Sequence, residues 1–183
     1  MLGITRSEPK STPLQDRVAE LFEECRGDVY RYLLTLGLNP AQAQEAAQEV
    51  FLRLYLTLKG GADLRNPKAW LFRVAHNYGL KVRSRQGPMV AFDDGIEARL
   101  ADPEVDVETT LIDRERTLRF HRAVANLSEQ QRRCLFLRLE GLRYPEIGQV
   151  LGISASAVGE FMRRAIVRLR RLTHEKASSQ PSE

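Results

Sequence analysis

The stretch "GISASAVGEFMRRA", residues 152–165, decides how this chain is read. Gly152 tolerates the positive φ that ends a helix, Ile153 plugs the corner behind it, and Ser154 caps the helix that follows. From Val158, the residues Met162, Ala165, Leu169 and Leu172 recur at helical spacing and make one apolar face. Ser156, Gly159, Glu160, Arg163, Arg164, Arg170 and Arg171 fall on the opposite face. The short helix ahead of the corner buries Ile147, Val150 and Leu151. This is helix-turn-helix chemistry: the N-terminal residues of the second helix reach base edges in a major groove while its arginines meet phosphates. Gly159 carries no side chain, so the backbone can approach DNA closely there. A helical hairpin with a solvated basic face would explain the charge but not the Gly-Ile-Ser corner.

Working outward, helix starts are legible. Thr12, Pro13 and Gln15 make a capping box with proline at the first helical position, and Asn39, Pro40 and Gln42 repeat it. Asn66 with Pro67, and Ser128 with Gln131, offer two more. The pattern predicts helices near 14–36, 40–59, 67–86, 107–126, 129–140, 144–151 and 155–174. Sustained period-two alternation is missing, so the expected class is all-α. The segment "SRQGPMVAFDDGIEARLADPEVDVE" interrupts the helical pattern with Gly87, Pro88, Gly95 and Pro103. We therefore expect two small helical domains joined by an acidic flexible linker, the second holding the helix-turn-helix. The expected bounds are a disordered lead over 1–13, a first domain over 14–86, the linker over 87–108, a second domain over 109–174 and a frayed tail over 175–183.

The 183 residues are 43% hydrophobic and 28% charged, ordinary for a soluble globular protein. Apolar runs are too short to insert in a membrane, and the N-terminus has no signal-peptide core, which points to the cytoplasm. Cys25 and Cys134 lie far apart, as suits reduced thiols. His76, His121 and His174 have no metal-ligand spacing, and no Gly-rich loop cradles a phosphate, so no metal and no cofactor is expected. Nor is any nucleophile, base or carboxylate pair placed for catalysis, so the chain is not expected to be an enzyme. Net charge is +4, unevenly spread. Residues 86–117 hold nine acids against three arginines, a net of −6. Residues 14–85 carry +3 and residues 128–176 carry +5. Two basic blocks around an acidic middle suggest a polyanionic partner.

Two helices in the first block carry more than a core stripe. In "AQEAAQEVFLRLYLTL", Ala43, Ala46, Ala47, Val50, Phe51, Leu54, Tyr55 and Leu58 form the core side. Opposite them, Glu45, Gln48, Glu49, Leu52 and Leu56 share an arc of about 100°. Acids beside two leucines fit either a protein partner with a basic, partly apolar surface or a helix buried on two sides. The helix "NPKAWLFRVAHNYGLKVRSR" sets Trp70, Leu71, Val74, Ala75, Tyr78 and Val82 inward. Its other side shows Phe72, Arg73, His76, Asn77, Leu80 and Arg83. Rings among arginines suit single-stranded nucleic acid, where bases stack and cations follow the backbone. A second core contact for Phe72 and Leu80 is the competing explanation.

Taken together, these motifs resemble a bacterial RNA polymerase sigma factor of the sigma-70 family, extracytoplasmic-function class, over residues 18–86 and 109–173. "LFEECRGDVYRYLLTLGLNPAQAQEAAQEVFLRLY" is similar to the start of its region 2. The helix from Trp70 to Arg85 is similar to its promoter-melting and −10-reading helix. The stretch "LSEQQRRCLFLRLEGLRYPEIGQVLGISASAVGEFMRRAIVRLRRL" is similar to its region 4. The resemblance implies that Glu45, Gln48, Glu49, Leu52 and Leu56 dock on core RNA polymerase. It also implies that Phe72, Arg73, His76, Asn77, Leu80 and Arg83 handle the −10 element. Ser154, Ser156, Gly159, Glu160, Arg163 and Arg164 would read the −35 element. The linker would thread the polymerase cleft. The implied partners are core polymerase, promoter DNA and an anti-sigma factor, with a monomeric free chain. The sequence departs from the family at Gln42, Ala43, Gln44 and Glu45, where a more acidic run is usual, and at Lys81, where Asp is common. It also departs at Gly159 and Phe161, where Lys or Arg often occur, which bears on individual −35 contacts. A free-standing helix-turn-helix regulator, acting without core polymerase, is the other reading of the same residues.

Overall fold

A computed structural model describes residues 12–85 and 123–174. Six helices stand among them: α1 (Pro13–Thr35), α2 (Pro40–Lys59), α3 (Pro67–Ser84), α4 (Glu129–Leu139), α5 (Tyr144–Leu151) and α6 (Ala155–His174). The expected lead over 1–13, except Thr12 and Pro13, which cap and open α1, the linker, the tail from 175 and the helix expected at 107–126, except its end, lie outside the described residues. Residues 123–125 are helical.

Local chemistry sets these starts. Thr12, Asn39 and Ser128 each accept a hydrogen bond from the backbone three residues on, and Gln15, Gln42 and Gln131 each accept one in return from the cap backbone. Asn66 Oδ1 accepts from Ala69 N at 3.0 Å. Half of such a box, which the sequence reading passed over, opens α5: Glu146 Oε2 accepts from Arg143 N at 2.7 Å, while the Arg143 side chain has no acceptor to return the bond.

Helices α1, α2 and α3 pack on one another around Val29, Tyr32, Leu33, Val50, Leu54, Leu71 and Phe72, all fully buried or nearly so. At Gly79 of α3 a Cβ would stand 2.7 Å from Leu36, so glycine sets how closely α3 meets the end of α1. The second unit packs α4 and α5 on α6, with Cys134, Leu137, Ile147, Val150, Val158, Met162 and Ala165 buried. Its corner follows the expected geometry. Gly152 has φ +68°, in the left-handed region, and Ala157 N donates to Ser154 Oγ at 3.1 Å. A Cβ on Gly148 would meet the Ile153 carbonyl oxygen at 2.6 Å, so the turn closes only over glycine.

The two units also touch. Helix α5 lies on α3, and α4 lies against α1. The buried apolar cluster runs through both units without a break.

Candidate polymerase and nucleic-acid interfaces

On α2 the acidic arc faces outward. Leu52 and Leu56 are 52% and 54% exposed, and Glu45 and Gln48 are exposed. Glu49 is half-buried because its carboxylate accepts from Arg53 Nε at 2.7 Å, while Arg53 lies 4.8 Å over the Tyr78 ring. The open choice left by periodicity therefore falls to an exposed arc rather than a helix buried twice. Two exposed leucines a turn apart among acids make an apolar patch with a polar rim.

Helix α3 differs from expectation. Arg73, Asn77 and Arg83 are exposed and Leu80 is half-buried, but Phe72 is 0% and His76 6% exposed. Trp70, Val74, Tyr78 and Val82, expected inside, are only partly buried. At Phe72 the competing reading, a second core contact, therefore holds, and the expected exposed face is corrected there and at His76, because neighbours from two helices cover it. The Phe72 ring meets Tyr32 of α1 edge-on at 5.4 Å and Phe136 of α4 at 6.3 Å. Tyr32 Oη and His76 Nδ1 share a buried hydrogen bond of 2.9 Å. Burial, then the Arg133 charge, holds the His76 imidazole down to about 4. Burial pushes the Tyr32 phenol far above its ordinary value. Arg83 is engaged too: Nη1 donates to the Leu36 carbonyl at 3.1 Å and Nη2 to Glu129 at 3.4 Å.

At the cap of α6 Ser154 is exposed, and on the helix Ser156, Arg163 and Arg164 are exposed and Glu160 is partly so. Glu160 holds both arginines. Arg163 Nη2 and Nε donate to its two oxygens at 2.8 and 3.0 Å, and Arg164 Nε donates at 2.9 Å. Those bonds hold the Glu160 carboxyl down to about 2. Gly159 is half-buried beside Tyr144 of α5. The position of its missing side chain faces the Tyr144 ring at 3.6 Å, an ordinary contact distance.

Sequence reading missed the residues that join the units: Asn66 and Lys68 on the α3 side, Phe136, Glu140 and Glu146 on the other. Lys68 Nζ lies 3.0 Å from Glu140 and 3.5 Å from Asp28. Burial and a hydrogen bond with Asp28 raise the Glu140 carboxyl, against the pull of Lys68. Asn66 Nδ2 donates to Glu146 Oε1 at 2.9 Å, so the cap of α3 is tied to the capping acid of α5. One signal was available. Helix α4 carries Leu135 and Phe136 besides its buried Cys134 and Leu137, more apolar surface than a single partner covers. Both cysteines are buried, with their thiols raised by burial, Cys134 to about 11, so neither suits nucleophilic chemistry. No group of side chains suited to a metal ion occurs among the described residues. No described helix is long and apolar enough to cross a membrane.

Comparison with known proteins gives two family matches in chain order: Sigma-70 region 2 over residues 21–87 and Sigma-70, region 4 over residues 117–169. The chain is 26% identical over 156 residues to the ECF RNA polymerase sigma factor SigM of Bacillus subtilis, covering 85% of this chain and 94% of that protein. It is 26% identical over 158 residues to the ECF RNA polymerase sigma factor SigK of Mycolicibacterium vanbaalenii, covering 84% and 80%. Its fold is similar to that of the sigma factor RpoE solved in complex with the anti-sigma factor NepR from Bartonella quintana. That match has a TM-score of 0.60 at 18% identity, over 90% of this chain and 99% of that one. It is also similar to CnrH solved with the cytosolic domain of CnrY, at a TM-score of 0.57 and 20% identity, over 90% and 91%.

Proposed function

We propose a division of labour for this chain, which belongs to the sigma-70 family, extracytoplasmic-function class, and directs promoter-specific transcription initiation with core RNA polymerase. In this reading α2 docks on polymerase, α3 handles the −10 element and α6 reads the −35 element. The work is binding rather than covalent chemistry, and its place is the bacterial cytoplasm. One observation carries the reading: an acidic, leucine-bearing arc and an arginine-bearing recognition helix stand exposed on two units matching regions 2 and 4 in order. An anti-sigma factor belongs among the partners, as NepR does for the RpoE protein of similar fold. Run-off transcription with purified core on a fragment library tests the whole reading. Discrete start sites that need both proteins are expected. Specific DNA binding with no start sites would make the chain a free-standing regulator instead.

Docking is tested on α2. Glu49→Lys combined with Leu52→Ala is expected to weaken core binding by about 2 kcal/mol, the loss typical of an interface anchor. The helix should stay folded, since neither side chain lies in the core. Undiminished competition with wild type for core would remove α2 from the interface.

The −35 reading is tested on α6. A carboxylate can accept from cytosine N4, so Glu160→Ala should relax preference at one base pair by about 1–3 kcal/mol. It also frees Arg163 and Arg164 from their shared bonds, so affinity for unrelated sequences should rise. Arg164→Ala should weaken binding to every sequence and flatten the salt slope by about one. Selection of −35 variants at fixed salt reads both. An unchanged base preference in Glu160→Ala, with only a small fall in melting temperature, would reduce Glu160 to a first-turn acid favourable to the helix dipole.

A further inference from the structure

We infer that Tyr78 is the ring on which an unpaired promoter base stacks, and that Glu49 positions this ring through Arg53. The inference rests on the assignment of α3 to the −10 element. It fills a gap that burial opens there, since Phe72 and His76, the rings expected to stack, are closed off by α1 and α4.

Two rows run along α3. Arg73, Asn77 and Lys81 recur every fourth residue and are exposed, a row suited to a phosphodiester backbone. Trp70, Val74, Tyr78 and Val82 recur likewise in the next row and are half-buried. A strand held on the first row therefore passes two rings of the second, about 12 Å apart along the helix axis. Trp70 lines a cavity shared with Arg143, Pro145 and Glu146, so α5 crowds that end. Tyr78 lines a cleft of about 290 Å³ whose other walls are Gln42, Glu45, Ala46, Val82 and Arg85. All of these belong to α2, to α3 or to the residue that ends α3, and the second unit supplies none of them.

Arg53 holds the ring. Its guanidinium lies 4.8 Å from the centre of the Tyr78 ring, and Glu49 Oε1 fixes that guanidinium by accepting from Nε at 2.7 Å. Arg53 stands two turns along α2 from Ala46, so guanidinium and cleft meet the ring from different sides. Bases stack on such rings, and an arginine beside the ring adds to the attraction. Ring and guanidinium are pinned before a strand arrives, so binding has little left to order. Gln42 adds a donor to the same cleft. Its Oε1 accepts from Asn39 N at 3.1 Å, which leaves Nε2 for the edge of a base. Glu49 thus serves two surfaces, the arc on α2 directly and the strand through Arg53.

Holoenzyme on a forked −10 template carries the test, with core at saturation so that the docking role of Glu49 stays out of the readout. 5-Iodouracil is placed at each unpaired position in turn, and irradiation followed by peptide mapping names the residue it meets. One position is expected to link to Tyr78. An abasic nucleotide at that position should weaken binding to wild type about tenfold, the loss of one base stack. The same nucleotide should cost Tyr78→Leu nothing further, because its ring is already gone. Tyr78→Phe keeps the ring and should stay within about twofold of wild type. Arg53→Lys keeps the charge without the planar guanidinium, and Glu49→Gln loosens it. Each should weaken strand binding about threefold and shrink the abasic penalty to match. Equal abasic penalties in wild type and Tyr78→Leu overturn the stack and leave Tyr78 a brace between α2 and α3. Undiminished strand binding by Arg53→Lys and Glu49→Gln overturns the positioning. No link to Tyr78 at any position also overturns the stack, and Arg73→Ala with Asn77→Ala then locates the fault. Impaired promoter opening by that pair keeps α3 at the −10 element, and normal opening removes that assignment as well.

Discussion

Phe72→Ala is expected to cost about 3–5 kcal/mol of folding stability, the loss typical when a buried phenylalanine is cut to a methyl. The ring is fully buried, edge-on to Tyr32 at 88°, and reached by Phe136 from the other unit. Removing it leaves a cavity whose walls come from three helices that cannot all close on it. Urea unfolding reads the loss as a lower midpoint. Arg73→Ala, one residue on and exposed, should stay within about 0.5 kcal/mol of wild type. This pair separates core from surface on one helix. A loss under about 1 kcal/mol for Phe72→Ala would mean that the ring is not packed as described. The consequence for promoter opening is direct. A Phe72 variant should lose function on duplex and pre-melted templates alike, because the domain itself is weakened, whereas Arg73 and Asn77 report on DNA without that penalty.

What the sequence made legible was whatever depends on neighbours in the chain. Capping boxes at Thr12, Asn39 and Ser128 involve residues three apart, and the Gly152 corner involves a single φ, so both could be read directly. The α2 arc was legible as an arc, because a helix rotates by a fixed angle per residue, but its exposure depended on what lay opposite. On α3 the same reasoning left a DNA-facing side and a second core contact both open for that reason. Periodicity assigned Phe72 and His76 to a second face correctly but could not supply the residue that covers it. Phe136 comes from 64 positions further on, as the residue numbers show. Likewise Glu146, a local capping acid by its spacing to Arg143, also binds Asn66 eighty residues away. Tyr144 likewise lies beside Gly159 from fifteen residues back, a neighbour that spacing along α6 alone does not supply.

Acidification from pH 7 to pH 4 is expected to remove about 3 kcal/mol of stability through His76 alone. The imidazole is held down to about 4 in the folded chain, against an ordinary value of 6.5, first by burial and then by Arg133. At 1.36 kcal/mol for each tenfold, that difference is about 3 kcal/mol. The fold prefers the neutral ring. Its contribution is therefore complete above about 6.5, falls as pH drops below that value, and levels off near 4. Tyr32 from α1 stays protonated throughout, and its oxygen can accept from a charged imidazole, so the shared hydrogen bond is not what is lost. The loss comes from an unhydrated charge set near Arg133 from α4. Glu146 and Glu160, both near 2 in the folded chain and ordinarily near 4.5, begin to cost stability only at the acid end of this window, and equally with or without His76. Glu140, raised by burial and Asp28, works in the opposite direction. His76→Gln keeps a hydrogen-bonding side chain that does not titrate, so the difference between its unfolding profile and that of wild type isolates the histidine. That difference should grow from pH 6.5 downward and flatten near pH 4. Arg133→Met removes the neighbouring cation, so its fall should begin at the same pH but flatten earlier and amount to less. Parallel profiles for wild type and His76→Gln would mean that the ring is hydrated when the chain is folded. The packing of Phe136 and Arg133 of α4 beside Phe72 and His76 would then not describe the chain in solution.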